Sequence, residues 1–170
     1  MTAESRKSMR SRNMRSVRTK NTKPEMQIRR ALHARGYRFR VSPKDIPGKP
    51  DLWFSGKRAA IFVNGCFWHA HGCHLFKIPG SNAPFWNKKL TENVSRDARV
   101  QQLLFEHGIR VLVVWECAMR GKSSISPDLV ALLAATWLQS ESKCGCITSK
   151  GLNTFPCPDP LFMIGTYYTV

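Results

Sequence analysis

Ile61-Phe62-Val63-Asn64-Gly65-Cys66-Phe67-Trp68-His69-Ala70-His71-Gly72-Cys73-His74-Leu75-Phe76-Lys77 changes character at Gly65. Before it the residues are β-branched and aromatic, the composition of a buried strand. After it, residues 66–74 hold two cysteines, three histidines and two large aromatics. A core segment does not need that mixture. The thiols and imidazoles suit zinc, the Phe-Trp pair suits an apolar contact, and at least one histidine is left for chemistry.

Upstream, Asp51-Leu52-Trp53-Phe54 reads as a short strand that opens on a carboxylate. Ser55-Gly56-Lys57 turns the chain, and Ala59–Val63 returns. The glycine-bearing turn predicts a hairpin, with Asp51 near the Val63–Asn64 end of the returning strand. Tyr37–Val41 alternates apolar and basic residues, which predicts a further half-buried strand. Thr22-Lys23-Pro24-Glu25 has the spacing of a capping box and predicts a helix running through Ile28 and Leu32 to Gly36. On that spacing Glu25 is a cap. Residues 1–21 carry seven Lys/Arg and one Glu with few apolar residues, so they read as a basic arm that cannot bury enough surface to fold alone.

Downstream, a helix is expected from Phe85 or Trp86 to about His107, stopped by Gly108, with a stripe of Leu90, Val94, Asp97, Gln101 and Leu104. Asp97 falls on the inward face and needs a partner there. Arg110–Trp115 is an almost continuous apolar run, the pattern of a central strand, and it ends in Glu116-Cys117. Ser126-Pro127 starts a last helix to about Trp137. Residues 139–170 contain Cys144, Cys146 and Cys157 without a companion histidine; they read as a tail, with a second metal site as the alternative. The pattern predicts an α/β fold with a mixed central sheet flanked by helices: an arm over 1–21, one zinc-stapled domain over 22–138, and the tail.

The chain has 170 residues and a net charge of +16, and residues 1–50 alone hold 15 Lys/Arg against three acids. Such a surface favours a polyanionic partner. No apolar run is long enough to span a membrane, and no apolar segment follows the basic N-terminus as in a secretory signal. Six cysteines in such a chain point to metal ligands or free thiols, and to the cytoplasm.

Cys66, His71, Cys73 and the distant Cys117 can complete a closed tetrahedral zinc site, with His69 and His74 competing with His71 for the nitrogen position and buried thiols as the alternative. Pro50-Asp51 before a strand resembles the first half of the PD-(D/E)xK nuclease pattern, but Ile61-Phe62-Val63 stands where an ExK is expected. His69 can act as acid or base if Asp97 orients its other nitrogen; otherwise Asp97 pairs with an arginine. Phe67, Trp68 and Trp86 can form a wedge that unstacks bases, or lie in the core.

In combination, Pro47-Gly48-Lys49-Pro50-Asp51, Gly65-Cys66-Phe67-Trp68-His69-x-His71-x-Cys73, Phe85-Trp86, Arg96-Asp97 and Val114-Trp115-Glu116-Cys117 resemble the very-short-patch repair (Vsr) endonucleases. The resemblance covers residues 9 to about 121. It implies a variant of the PD-(D/E)xK, restriction-endonuclease-like fold, in a bacterial, cytoplasmic enzyme. That enzyme would nick duplex DNA 5′ to the thymine of a T·G mismatch left by deamination of 5-methylcytosine. It implies Mg²⁺ held by Asp51 and by the backbone of Val63, and structural Zn²⁺ held by Cys66, His71, Cys73 and Cys117. His69 supported by Asp97 becomes the acid/base group, with Glu25 and Asn64 as catalytic neighbours. Phe67, Trp68 and Trp86 become the wedge, and Met14, Arg15 and Lys20 DNA contacts. A monomer is expected, with mismatch-repair proteins as a further class of partner. The family often has Thr-His where this chain has Val63-Asn64, and Asn64 cannot carry a proton as histidine does. Two other readings stay open: a zinc-bearing mismatch-binding module with little or no catalysis, and a nuclease of the same fold with another specificity.

Overall fold

The computed structural model describes residues 20–155. A five-stranded mixed sheet in the order β1-β2-β3-β4-β5 is formed by Leu52–Phe54, Ala59–Asn64, Arg110–Trp115, Cys144–Thr148 and Gly151–Phe155. The outer pairs β1/β2 and β4/β5 are antiparallel hairpins, and the inner pairs β2/β3 and β3/β4 are parallel. Parallel neighbours need crossovers, here the helices α2 (Ala83–Glu106) and α3 (Pro127–Gln139). Helix α1 (Lys23–Ala34) precedes the sheet.

β3 explains the layering. Val111–Trp115 are all buried, as expected for a central strand covered on both faces. Leu112 and Val114 face a core shared with Ile28 and Leu32 of α1 and Val130, Ala134 and Trp137 of α3. Val111, Val113 and Trp115 face the other core, with Leu104 of α2. Each such fully buried aliphatic side chain contributes roughly 1.5–3 kcal/mol. Arg110 anchors one end of this arrangement: it donates to the Trp137 carbonyl at 2.6 Å and to that of Ser142 at 3.0 Å.

The helix starts follow their signals. Ser126 caps α3 by accepting from the Leu129 N–H at 3.2 Å. Thr22 is the N-cap of α1, and its hydroxyl donates to Glu25 Oε1 at 2.8 Å. The expected hairpin is present, with Leu52 opposite Ile61.

Two expectations are corrected. Tyr37–Val41 is not a strand: a single bridge joins Arg40 to Trp53, and Ser42 in the left-handed region (φ 44°) turns the chain away. Its alternation still reports burial, since Tyr37 and Phe39 pack on the Phe54 ring at 6.1 and 5.5 Å. Nor does a tail begin at residue 139. Residues 144–155 complete the sheet beyond β3, because an apolar central strand needs a partner on both edges. Cys144 and Cys146 are buried in the core on the α2 side, and among the described residues neither joins a metal-binding group; Cys157 lies outside the described residues. A Cβ on Gly145 would come within 2.8 Å of Trp137 Nε1, so glycine lets β4 approach α3. Among the described residues, no helix is long and apolar enough to cross a membrane.

Candidate active site and metal centre

The parallel register of β2 and β3 sets Asn64 beside Trp115. Two residues further along each chain stand Cys66 and Cys117, which are thereby brought together at the same end of the sheet. Past Asn64 the chain coils tightly: the His69 N–H donates to the Gly65 carbonyl at 3.2 Å and the His71 N–H to that of Cys66 at 2.9 Å. The coil returns His71 and Cys73 to the two thiols. One donor atom from each of Cys66, His71, Cys73 and Cys117 lies within 4.8 Å of all the others, and Cys117 Sγ is 3.6 Å from His71 Nδ1. A tetrahedral zinc ion with bonds of about 2.0–2.3 Å sets its ligands roughly 3.5–3.8 Å apart, so the group fits one such ion after little movement.

Two backbone N–H groups point at the sulfurs. The Cys117 N–H donates to Cys66 Sγ at 3.3 Å and the Leu75 N–H to Cys73 Sγ at 3.4 Å. The His71 ring stacks on the Trp115 indole, centroids 4.2 Å apart and planes 10° from parallel, which fixes its orientation. Without an ion, a hydrogen bond from Cys66 holds the Cys117 thiol down at about 4, while the same bond and burial push Cys66 up. A divalent cation would relieve that competition by holding both as thiolates. The sequence left three histidines in competition; only His71 joins the thiols. His74 is exposed beside Gly121, and His69 points to α2.

Asp51 sits at the mouth of the β1–β2 hairpin, where the Val63 N–H donates to its Oδ2 at 2.8 Å. Its side chain is 22% exposed, and Arg29 Nη2 is 3.9 Å from Oδ1. Burial pushes its pKa up to about 6, with Glu25 adding to the rise and Val63, Arg29 and His69 opposing it. It is therefore a carboxylate short of positive charge, the hard oxygen donor that Mg²⁺ takes. Glu25 caps α1 and lies close enough to Asp51 to influence its charge; its Oε2 accepts from the Asn21 N–H at 2.8 Å and from Arg29 at 3.1 Å.

His69 Nδ1 hydrogen-bonds Asp97 Oδ2. A carboxylate only accepts, so Nδ1 carries the proton and Nε2 of the neutral ring keeps its lone pair. Asn64 is buried to 9% exposure and lines the cleft, and its amide has no protein hydrogen-bond partner among the described residues. The cleft, of about 770 Å³, is walled by Glu25, Val63, Asn64, Trp68 and His69, with Lys89, Arg96 and Arg120 adding positive charge. Asp51 adjoins it through the Val63 wall.

Phe67, Trp68 and Trp86 converge beside this cleft. Their ring centroids are 5.1, 5.3 and 6.2 Å apart in edge-on or tilted contacts, and all three are half-buried. Phe85, 52% exposed, extends the cluster, its ring 5.2 Å from Trp86. Lys20 is exposed at the edge of the described segment; Met14 and Arg15 lie outside the described residues. The sequence reading passed over Arg29 and Asn93, and Glu116 appeared there only as part of a motif, without a role. Arg29 follows Glu25 by four residues, a helical pairing distance that would have flagged it. Glu116 pairs with Arg120 at 2.5 Å, again four residues on, and also accepts from the Cys66 N–H at 3.2 Å, a contact across 50 residues that no local spacing announces.

Residues 4–75 match the family model described as DNA mismatch endonuclease Vsr. The chain is 39% identical over 147 residues to the DNA mismatch endonuclease Vsr of Escherichia coli strain K12, covering 86% of this chain and 94% of that protein. It is 43% identical over 120 residues to the type II nicking enzyme V.XorIIP of Xanthomonas oryzae pv. oryzae, covering 71% and 88%. It is also 40% identical over 110 residues to V.NmeAIP of Neisseria meningitidis, covering 65% and 79%. With a likeness running through most of both chains, the protein belongs to the Vsr family of DNA mismatch endonucleases.

Proposed function

We propose that this protein is a Mg²⁺-dependent endonuclease that nicks duplex DNA 5′ to the thymine of a T·G mismatch and so starts very-short-patch repair of deaminated 5-methylcytosine. The observation that carries the reading is a cleft lined by His69, Phe67 and Trp68, with Asp97 bonded to His69, Trp86 packed on Phe67 and Asp51 bonded to the Val63 wall. The sheet and its helices are read as a PD-(D/E)xK variant in which the second acidic position is replaced by backbone at Val63. The protein acts as a monomer in the bacterial cytoplasm, with repair proteins as further partners.

In the proposed mechanism the basic surface holds phosphates, and Phe67, Trp68 and Trp86 open the stack at the mispair. Asp97 keeps the His69 proton on Nδ1, so Nε2 accepts the proton of the attacking water. Asp51 and the Val63 backbone would hold Mg²⁺, which when bound supplies charge stabilisation at the phosphoryl and leaving oxygens. Cys66, His71, Cys73 and Cys117 would hold Zn²⁺ as a closed structural site. Asn64 turns a neutral amide towards the phosphate, where it can donate a hydrogen bond but takes no proton.

The test is incubation with matched T·A and mismatched T·G duplexes plus Mg²⁺. A single nick in the T·G duplex alone is expected; equal cutting of both, or cutting that survives Asp51→Ala, overturns the reading. A non-catalytic mismatch-binding module is the second reading, favoured by Asn64 and by the missing ExK. Selective binding with no nick at any Mg²⁺ level would establish it.

A further inference from the structure

Trp68 and His69 are consecutive residues, yet the proposed function gives them unrelated tasks: one ring enters the DNA, the other activates water. Both are bound to one face of α2. Asn93 Nδ2 donates to the Trp68 carbonyl at 2.9 Å. Arg96 Nη1 donates to Asn93 Oδ1 at 3.3 Å, and Arg96 Nη2 donates to Asp97 Oδ1 at 3.1 Å. Asp97 Oδ2 then accepts from His69 Nδ1. The path is continuous from the wedge to the imidazole, and it closes on itself, because the Trp68 carbonyl and the His69 N–H belong to the same peptide group.

We propose that Arg96 is a positioning residue that locks the wedge peptide and the His69 ring into a single unit, so that the imidazole is aligned only when Trp68 is seated. The inference rests on the proposed roles of Trp68 and His69 and deepens them. Every group in the loop is planar and rigid: amide, guanidinium, carboxylate and imidazole. A guanidinium holds two acceptors at fixed separation, which an ammonium does not. Rotation of the Asp97 carboxylate and displacement of the Asn93 amide are therefore not independent motions. Asn93 is buried at 7% exposure, so its amide has little freedom beyond these bonds. Asn93, Arg96 and Asp97 lie three and four residues apart, on one helical face. The Arg96 side chain is 55% exposed at the cleft, so its replacement leaves the core intact.

A position error of about 1 Å in a catalytic group can cost roughly 100-fold in rate, and that sensitivity makes such a clamp useful. A mispair that lets the wedge enter carries the 68–69 peptide to its bound position. The clamp passes that placement to Nε2 of His69. A matched duplex that resists the wedge leaves the ring misaligned, and cleavage is withheld after binding.

The test is a double-mutant cycle on the full chain, loaded with zinc, with T·G and T·A duplexes in single-turnover nicking and in equilibrium binding. Wild-type nicking of T·G in the same assay checks the underlying reading; the cycle checks the clamp. Arg96→Ala should slow nicking of T·G by about 10- to 100-fold while its Kd for that duplex rises by a clearly smaller factor. Arg96→Lys should recover little of the rate. Trp68→Ala combined with Arg96→Ala should be scarcely slower than the worse single variant, since both break one unit. Thermal melting shows that each variant is folded, and Arg96→Gln, which keeps a planar donor, replaces the alanine variant if that one is not. Full multiplication of the two single effects, recovery by Arg96→Lys, or binding weakened as much as the rate would each overturn the proposal, the last by making Arg96 a phosphate contact.

Discussion

Asp51 pairs its proposed role with an energetic cost. Its pKa stands at about 6 in the folded chain, against 3.8 for an ordinary aspartate, a difference worth about 3 kcal/mol. The folded state binds this proton more tightly than the unfolded state, so ionisation opposes folding. The cost is fully present above about pH 7 and fades as the pH falls through about 6 towards 4. We expect Asp51→Asn to abolish nicking and yet to melt higher than the Mg²⁺-free wild type at pH 8, with the gain shrinking by pH 5.5. A lower melting temperature at pH 8 would contradict this. Because proton and metal compete for one carboxylate, the acidic limb of the nicking rate should move to lower pH as Mg²⁺ is raised. At Asn64, whose amide meets no protein partner among the described residues, alanine should slow nicking about 100-fold while leaving the melting temperature within a few degrees, measured by single-turnover assay and calorimetry.

Among the elements, the 65–77 coil has the least secondary structure of its own and depends on ligands supplied from elsewhere. Cys117, in the turn just after β3, is the ligand that ties it to the sheet. Cys117→Ser is expected to lower the zinc content of the purified protein. It should also drop the melting temperature by about 10 °C, the shift that roughly 3 kcal/mol produces in a chain of this size. Proteolysis should then fall first between residues 65 and 80. The β4–β5 hairpin carries a different kind of dependence. Ending the chain at Gln139 would leave β3 as an edge with Val111–Val114 unpaired on one side, an aggregation-prone arrangement. Loss of a cooperative unfolding transition is expected, whereas a dispensable tail would leave it unchanged.

At the scale of the molecule, the net charge of +16 and the basic cleft rim predict a strong salt dependence of DNA binding. Residues 1–19 contain six Lys/Arg. Deleting them should reduce the magnitude of the log Kd against log salt slope by up to about 5, at roughly 0.9 for each phosphate contact. An unchanged slope would mean that the arm makes no ionic contact with the duplex. Much of the molecule was legible before its coordinates. The β1–β2 hairpin followed from a turn and two apolar runs, α2 from one stripe, and the Glu25 cap from a four-residue spacing. These signals are local, and they concern backbone groups that any arrangement of the chain must satisfy.

The sequence by itself determined the ligand types, the β1–β2 hairpin, the central character of β3 and the family motifs, because period, capping and residue chemistry act within a few positions. Tertiary structure decided which histidine meets the thiols, since His71 is chosen by Cys117, 46 residues away. It decided that Cys144–Phe155 belongs to the sheet, because β3 required a second neighbour that no alternation in those residues announced. It also decided that Asn93, Arg96 and Asp97 close a ring with Trp68 and His69, a relation between a helix and a coil. Such relations depend on where two elements come to rest against each other, and burial of the shared core, rather than any local pattern, fixes that.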